Sequence, residues 1–419
     1  MRWSAIGMVY LPSKTLPKLF LVYTLTLCAK WASAQSSSYN ANTIPIGGTY
    51  STAFGYQSLA ANAGTNNSAS GAYSLASNSS GQSNTAHGTS ALRLNSTGSY
   101  NTAVGHDALY YNNGSDNTGI GYNALFSSTS GFNNTAVGYN SMSNASGSYN
   151  IAIGSNSLAS NSGQSNTAVG FAALNLNTSG NFNTAMGYQA LLANTGGYAN
   201  TAIGNQSLYS NATGFSNTSI GDFALYNTTI GYGNTAIGEE ALHSNLTGID
   251  NTAIGRLAGE SALGNGNVFV GYGAGYDEAG SNKLYISNGF HTTIIYGDIA
   301  TGQVLLGNPN PTSYVFKGKR TLNVLGGILS DSIRVALSGS WADDVFSADY
   351  HLKPLAEVET YITNNMRLPG IPAEKDVKEQ GLNLAEMNAK LLEKIEELTL
   401  YVIAQQKQIN ELREEIKTK

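Results

Sequence analysis

The stretch Asn134-Thr135-Ala136-Val137-Gly138-Tyr139-Asn140-Ser141-Met142 decides how the chain is read, because it returns along the sequence at an almost fixed interval. Superposing its glycine on its counterparts gives Gly55, Gly71, Gly88, Gly105, Gly121, Gly138, Gly154, Gly170, Gly187, Gly204, Gly221, Gly238, Gly255 and Gly271, each 16 or 17 residues from the next. Four residues after twelve of these glycines stands a large apolar side chain, such as Leu109, Leu125 or Met142. The last two repeats carry Gly259 and Gly275 there instead, which suits a closing unit. Side chains in the unit alternate with period two, which predicts an extended strand, and the Asn, Ser and Gly cluster that follows is turn chemistry. One unit is too short to bury its own apolar face, so units must stack and share a core. The expected architecture is an all-β parallel β-solenoid of 16–17-residue repeats whose fourteen coils, about 4.8 Å apart, span roughly 65 Å.

The alternation places Ala136, Gly138 and Met142 on one face and Thr135, Val137 and Tyr139 on the other. Small residues suit a narrow interior, which leaves a ladder of Val, Ile and aromatic side chains to meet sister chains; the pattern alone leaves the reverse assignment open. Tyr56, His106, Tyr122, Tyr139, Phe171 and Tyr188 recur just after the repeat glycine. They are candidate ligand-facing aromatics that would stack on sugars, with inter-chain packing as the alternative.

The recurring Ala-Ile-Gly core of residues 49–276 resembles the YadA-like heads of trimeric autotransporter adhesins, and the resemblance implies a left-handed parallel β-roll and a trimer. The run from Asn267 through Tyr285 to Asp298 is similar to the end of such arrays in Bacteroidetes-type surface and tail-fibre-like proteins. After it, short alternating segments such as Thr293–Tyr296 and Gln303–Leu306 predict a β neck over 277–340 that includes Leu322-Asn323-Val324 and Ile333-Arg334-Val335.

Helical signals begin at Pro354, with Leu355, Val358 and Ile362 on one face, and stop at Leu368-Pro369-Gly370-Ile371-Pro372, so residues 341–381 read as a short helical linker region. A coiled coil is expected over 382–419, starting near Asn383, which pairs with Glu386 in a capping-box pattern. Its oligomerisation seam comprises Leu384, Leu391, Ile395, Leu398, Val402, Ile409, Leu412 and Ile416, with Asn388 and Gln405 as polar members of the heptad. Core packing against the preceding helix is the alternative. β-branched residues at a with Leu at d favour a parallel dimer, whereas the resemblance implies a trimer; the trimer is the favoured homo-oligomer.

At the other end, Arg2, Lys14 and Lys18 precede an apolar run from Leu19 to Ala29, and Ala32-Ser33-Ala34 offers a cleavage site. Residues 1–34 read as a signal peptide and 35–48 as an N-terminal linker. The expected location is therefore the exported one, at the cell surface, associated with the outer membrane, or extracellular. Leu27 sits where a lipoprotein motif wants a small residue before Cys28, the only cysteine, so the mature chain would have neither disulfide nor thiolate. No membrane-spanning segment is expected in it, and the C-terminal residues lack the alternating strands of a membrane barrel.

Charged residues make up 11% of the chain and the net charge is -5; from Ser36 to Asp250 the only Lys or Arg is Arg93, which disfavours nucleic acid as a partner. His87, His106, His243, His291 and His351 are scattered without metal-ligand spacing, and Glu239 and Glu240 are adjacent, so no metal, cofactor or catalytic set is expected. Ala348-Asp349-Tyr350-His351-Leu352-Lys353 resembles the Ser-Asp-x-Arg-Leu-Lys motif of self-cleaving chaperone domains in phage tail spikes and fibres. Alanine stands in the Ser place and Ser347 is one residue out of register, which argues against self-cleavage. Two functions remain: a non-enzymatic adhesin whose partner is a glycan or an extracellular matrix protein, and a structural tail-fibre or appendage component with a non-cleaving assembly domain.

Overall fold

The structure, a computed structural model, describes residues 37–39, 50–307, 316, 321–333 and 344–419. The expected signal peptide, most of the linker, and Arg334 and Val335 of the neck lie outside the described residues. The chain divides into two units, one ending with residues 321–325 and the other holding the C-terminal helices.

The first unit is a parallel β-solenoid of three-residue strands: β1 (Ser37–Tyr39), β2 (Thr52–Phe54), β3 (Ser68–Ser70), β4 (Thr85–His87), β5 (Thr102–Val104), β6 (Thr118–Ile120), β7 (Thr135–Val137), β8 (Ile151–Ile153), β9 (Thr167–Val169), β10 (Thr184–Met186), β11 (Thr201–Ile203), β12 (Thr218–Ile220), β13 (Thr235–Ile237), β14 (Thr252–Ile254) and β15 (Val268–Val270). Each pairs in register with the next, so that Thr135, Ala136 and Val137 lie beside Ile151, Ala152 and Ile153. β1 lies inside the segment expected to be a linker and pairs with β2, so the stack starts earlier than residue 49.

The nine-residue strand expected over residues 134–142 is not formed. Extended structure stops at Val137, Gly138 turns the chain at φ 135°, and Asn140 and Met142 adopt left-handed φ values of 52° and 48°. The apolar residue four after the repeat glycine is left-handed from Leu59 to Leu242, a conformation that costs roughly 1–2 kcal/mol per residue. Burying each such Leu contributes about 1.5–3 kcal/mol, enough to hold it there. The same geometry aims amides both ways along the stack: Asn140 N donates to Tyr122 O of the preceding coil at 2.9 Å, and Met142 N to Ser157 O of the following one at 2.9 Å. Ala136 and Met142 are fully buried while Tyr139 is exposed, so the small-residue face is the interior.

The asparagines do more than turn the chain. Asn67, Asn84, Asn101 and their counterparts as far as Asn267 form a buried column, one per coil. Asn150 Nδ2 donates to Gly163 O at 3.0 Å, and its Oδ1 accepts from Asn166 N at 2.9 Å, tying three segments together. A second column, with Asn161, Asn177 and Asn194, closes the turn below, but Ser128, Ala145 and Thr228 stand in for Asn there. The two columns do equivalent work: Asn150 Oδ1 accepts from Asn166 N at 2.9 Å and Asn161 Oδ1 accepts from Gly163 N at 3.0 Å, while both side chains donate to Gly163 O at 3.0 Å. Asn150→Ala and Asn161→Ala each leave a buried backbone amide without its acceptor, and each is therefore expected to cost about 2–3 kcal/mol in urea unfolding.

Phe269 replaces the interior alanine of the last coil, and its ring lies against Gly259 and Gly275, where earlier coils carry Leu. Beyond it, β16 (Lys283–Ser287) continues in parallel, β17 (Thr293–Asp298) and β18 (Gln303–Leu306) follow antiparallel, and β19 (Leu322–Val324) pairs in parallel with β18. Tyr285 packs 5.8 Å from Phe269 and 5.0 Å from Tyr296, centroid to centroid, and donates to Glu278; burial and that carboxylate push its phenol well above the usual range. Lys283 Nζ, 2.9 Å from Asp298 Oδ2, holds that carboxyl below its ordinary pKa. The stability contributed by that depression is present above the ordinary carboxylate pKa and fades as pH falls through the depressed value.

The second unit carries α1 (Leu355–Asn365), α2 (Glu374–Gln380) and α3 (Leu384–Lys417). Pro354 stands just outside α1 as its N-cap, one position earlier than expected, and α2 is a helix the periodicity did not single out. Asn383 caps α3, its Oδ1 accepting from Ala385 N at 3.1 Å and Glu386 N at 3.3 Å. Tyr350 OH donates to Glu397 Oε1 at 2.6 Å and Tyr401 OH donates to Lys353 O at 2.5 Å, which ties the segment before α1 onto the middle of α3. The expected seam is left out of these contacts: Leu391, Ile395, Leu398, Val402, Ile409 and Leu412 are all exposed, so packing against the preceding helices does not cover it.

Candidate functional site

Each coil presents the residue after its glycine to solvent, and in-register stacking turns a 16- or 17-residue recurrence into a column along the wall. The six aromatics singled out in the sequence do not form one site. Tyr56 meets Tyr73 edge-on, with centroids 5.3 Å apart and planes at 84°. His106, Tyr122 and Tyr139 form a three-ring stack, with centroids 5.5 and 5.4 Å apart and interplanar angles of 19° and 10°. Phe171 and Tyr188 form a separate pair at 5.4 Å and 12°. Ala72 and Thr89 separate Tyr56 from the first stack, and Ser155 separates the two stacks.

Not every member of these stacks offers a ring face to a ligand. A pyranose or an aromatic ligand packs on a ring face, and the faces of Tyr122 are already covered by His106 and Tyr139. What Tyr122 offers solvent is an edge and a hydroxyl. Only the rings at the ends of a stack keep a free face toward the adjoining coil.

Two further columns escaped the sequence reading. Tyr209, Tyr226 and His243 stack with centroids 5.0 and 5.3 Å apart and planes within 10°. Tyr198, Phe215 and Tyr232 stack at 4.9 and 4.6 Å, within 5°. Their signal was the spacing of 17 between successive members of each set. His243 also lies 3.6 Å from Glu260, and Ser244 Oγ lies 3.5 Å from His243 Nδ1 and 3.4 Å from Glu260 Oε1. Both neighbours meet the same ring nitrogen, whereas a nucleophile–base–orienter relay needs one on each nitrogen.

Among the described residues there is no group of three or more His, Cys, Asp or Glu that could hold a metal ion, and no helix is long and apolar enough to cross a membrane. Near the motif in the second unit, Ser347 Oγ donates to Asp344 O at 2.7 Å, within its own turn. Between α2 and α3 lies a hollow of about 450 Å³ lined by Asp376, Val377, Gln380, Glu386, Met387 and Lys390.

Compared with known proteins, the chain matches no family model, no curated protein and no solved structure.

Proposed function

We propose that this chain is an exported, non-enzymatic, fibrous surface protein that works as an adhesin of the YadA-like kind, binding a glycan or matrix partner through its repetitive head. In this reading the head is a left-handed β-roll of 16–17-residue repeats and α3 is the strand of a coiled coil. The observation that carries the proposal is a pair of unpartnered apolar surfaces. On the solenoid wall Ile120, Ile153, Met186, Ile203, Ile237 and Ile254 lie in one column, each more than a third exposed, and the seam of α3 is exposed along its length. Apolar rows of that extent on a soluble chain mark association, and an in-register column suits identical neighbours. A trimer accommodates both surfaces, with the wall column turned toward sister chains and the aromatic stacks outward.

Sedimentation tests the assembly. The mature chain is expected to sediment as a trimer, and removal of residues 384–419 to lower the oligomeric state; equal assembly of both forms would leave the wall column as the sole association surface. A glycan array tests adhesion: selective retention of some glycans supports it. Assembly without retention of any glycan or matrix protein favours the structural reading, for which the docking of Tyr350 and Lys353 on α3 is the supporting observation.

A further inference from the structure

The column that follows the repeat glycine lacks one rung. Tyr139, Ser155 and Phe171 occupy equivalent places in three successive coils, linked by Asn156 N donating to Tyr139 O and Ala172 N to Ser155 O, both at 2.9 Å. The strands carry the same register, Val137 beside Ile153 and Ile153 beside Val169. On one side of Ser155 the ring of Tyr139 lies within 10° of Tyr122, and on the other Phe171 lies within 12° of Tyr188. Two stacks, each parallel within itself, thus end on the same serine, with the uncovered face of each end ring on the side of the gap.

Two coil steps separate Tyr139 from Phe171, about 9.6 Å at ordinary strand spacing. A ring placed midway would sit about 4.8 Å from each, close to the 5.4 Å between Tyr122 and Tyr139. The gap is one ring thick. Tyr149, Ser165 and Phe182 also form a column with one rung missing, but Tyr149 meets Phe132 edge-on at 76° and so does not end a parallel stack; Ala72 and Thr89 leave two rungs vacant, and Ser143, Ala159, Asn175 and Leu192 stand between Phe126 and Tyr209. The surroundings also set the charge of the occupant. From Asn117 to Gly221 there is no Asp, Glu, Lys, Arg or His, so nothing near the gap would hold an ion.

We propose that Tyr139, Ser155 and Phe171 form a slot that takes one uncharged planar aromatic ring, of the phenol or indole class, as the missing rung. The two flanking faces supply offset stacking, the geometry aromatic pairs prefer, and the Ser155 hydroxyl forms the floor. The slot does not depend on the adhesin reading. It requires only that this wall be open in the assembled protein.

Indole is the probe, titrated against the purified full chain and followed by proton NMR. Sandwiching between two ring faces shifts indole protons upfield, saturably, with a Kd on the order of 1 mM for so small a ligand. Ser155→Tyr fills the rung and is expected to weaken binding at least tenfold, as are Tyr139→Ala and Phe171→Ala. Tyr188→Ala, which removes a ring facing away from the gap, is expected to change binding less than threefold. Circular dichroism checks that each variant keeps its fold, and Tyr139→Ala decides if Ser155→Tyr does not. Undiminished indole binding by folded Ser155→Tyr or Tyr139→Ala overturns the proposal. So does saturable binding of methyl glucopyranoside with none of indole, which would make the slot a sugar site.

Discussion

Gly197→Ala is expected to lower the unfolding free energy by about 3–5 kcal/mol, while Gly196→Ala, its neighbour, changes it by less than about 0.5 kcal/mol. A Cβ on Gly197 would stand inside the van der Waals envelope of Gly214 O and Asn194 Oδ1, atoms of the next coil and of the buried asparagine column. The carbonyl cannot swing aside without breaking its bonds to Asn200 Nδ2 at 2.8 Å and Asn211 Nδ2 at 3.1 Å. A Cβ on Gly196 meets nothing closer than Ser179 Oγ at 3.5 Å, an ordinary contact. Both substitutions stiffen the unfolded chain equally, so the difference between them isolates the clash between coils. Because each coil contacts only its neighbours, the damage should also be local. Hydrogen exchange is expected to show protection lost around residues 195–215, and equal urea midpoints for the two variants would contradict this account of coil spacing.

The second large effect concerns the end of the core. Phe269→Ala is expected to cost about 3–5 kcal/mol, since it removes a fully buried benzyl group from a site walled on two sides by Gly259 and Gly275, which have no side chains to fill the space. Restoring the pattern of the earlier coils offers a rescue. Gly259 and Gly275 hold φ values of 58° and 60°, in the same range as the 57° of Leu257 and near the 47–55° of the buried leucines. Adding Gly259→Leu and Gly275→Leu to Phe269→Ala is therefore expected to recover most of the loss in thermal melting. In the presence of Phe269 each of those leucines alone would clash with the ring and destabilise. Additive losses in the triple variant would show that Phe269 and the two glycines are not exchanging volume.

Much of this arrangement was written in the repeat. The spacing of Gly105, Gly121 and Gly138 implies parallel coils, because only stacking lets a unit of that length bury Leu109, Leu125 and Met142. Gly259 and Gly275 marked the end of the array, and Asn383 and the heptad announced the last helix. Other features were misread because one pattern has two physical sources. Period two is produced by a pleated strand, and part of it is reproduced by residues that alternate between right- and left-handed turns, as Asn140 and Met142 show. Asparagine in a Gly- and Ser-rich segment looks like surface turn chemistry until the stack buries it and gives both ends of its amide a partner in another coil.

The wall aromatics divide along the same line. The sequence by itself determined that Tyr122, Tyr139, Phe171 and Tyr188 would share one column, since recurrence at the coil length leaves no other arrangement. Only the tertiary structure decided that neighbouring rings lie face to face, at 5.4 Å and 10°, rather than flat on the wall. Recurrence specifies which residues are neighbours. Ring orientation follows from rotamers on a backbone whose φ changes sign around Gly138, and no linear spacing encodes that angle. The same division holds for α3: the heptad named the seam, but its exposure was decided by where Tyr350 and Tyr401 anchor the preceding segment, leaving Ile395 and Leu398 uncovered.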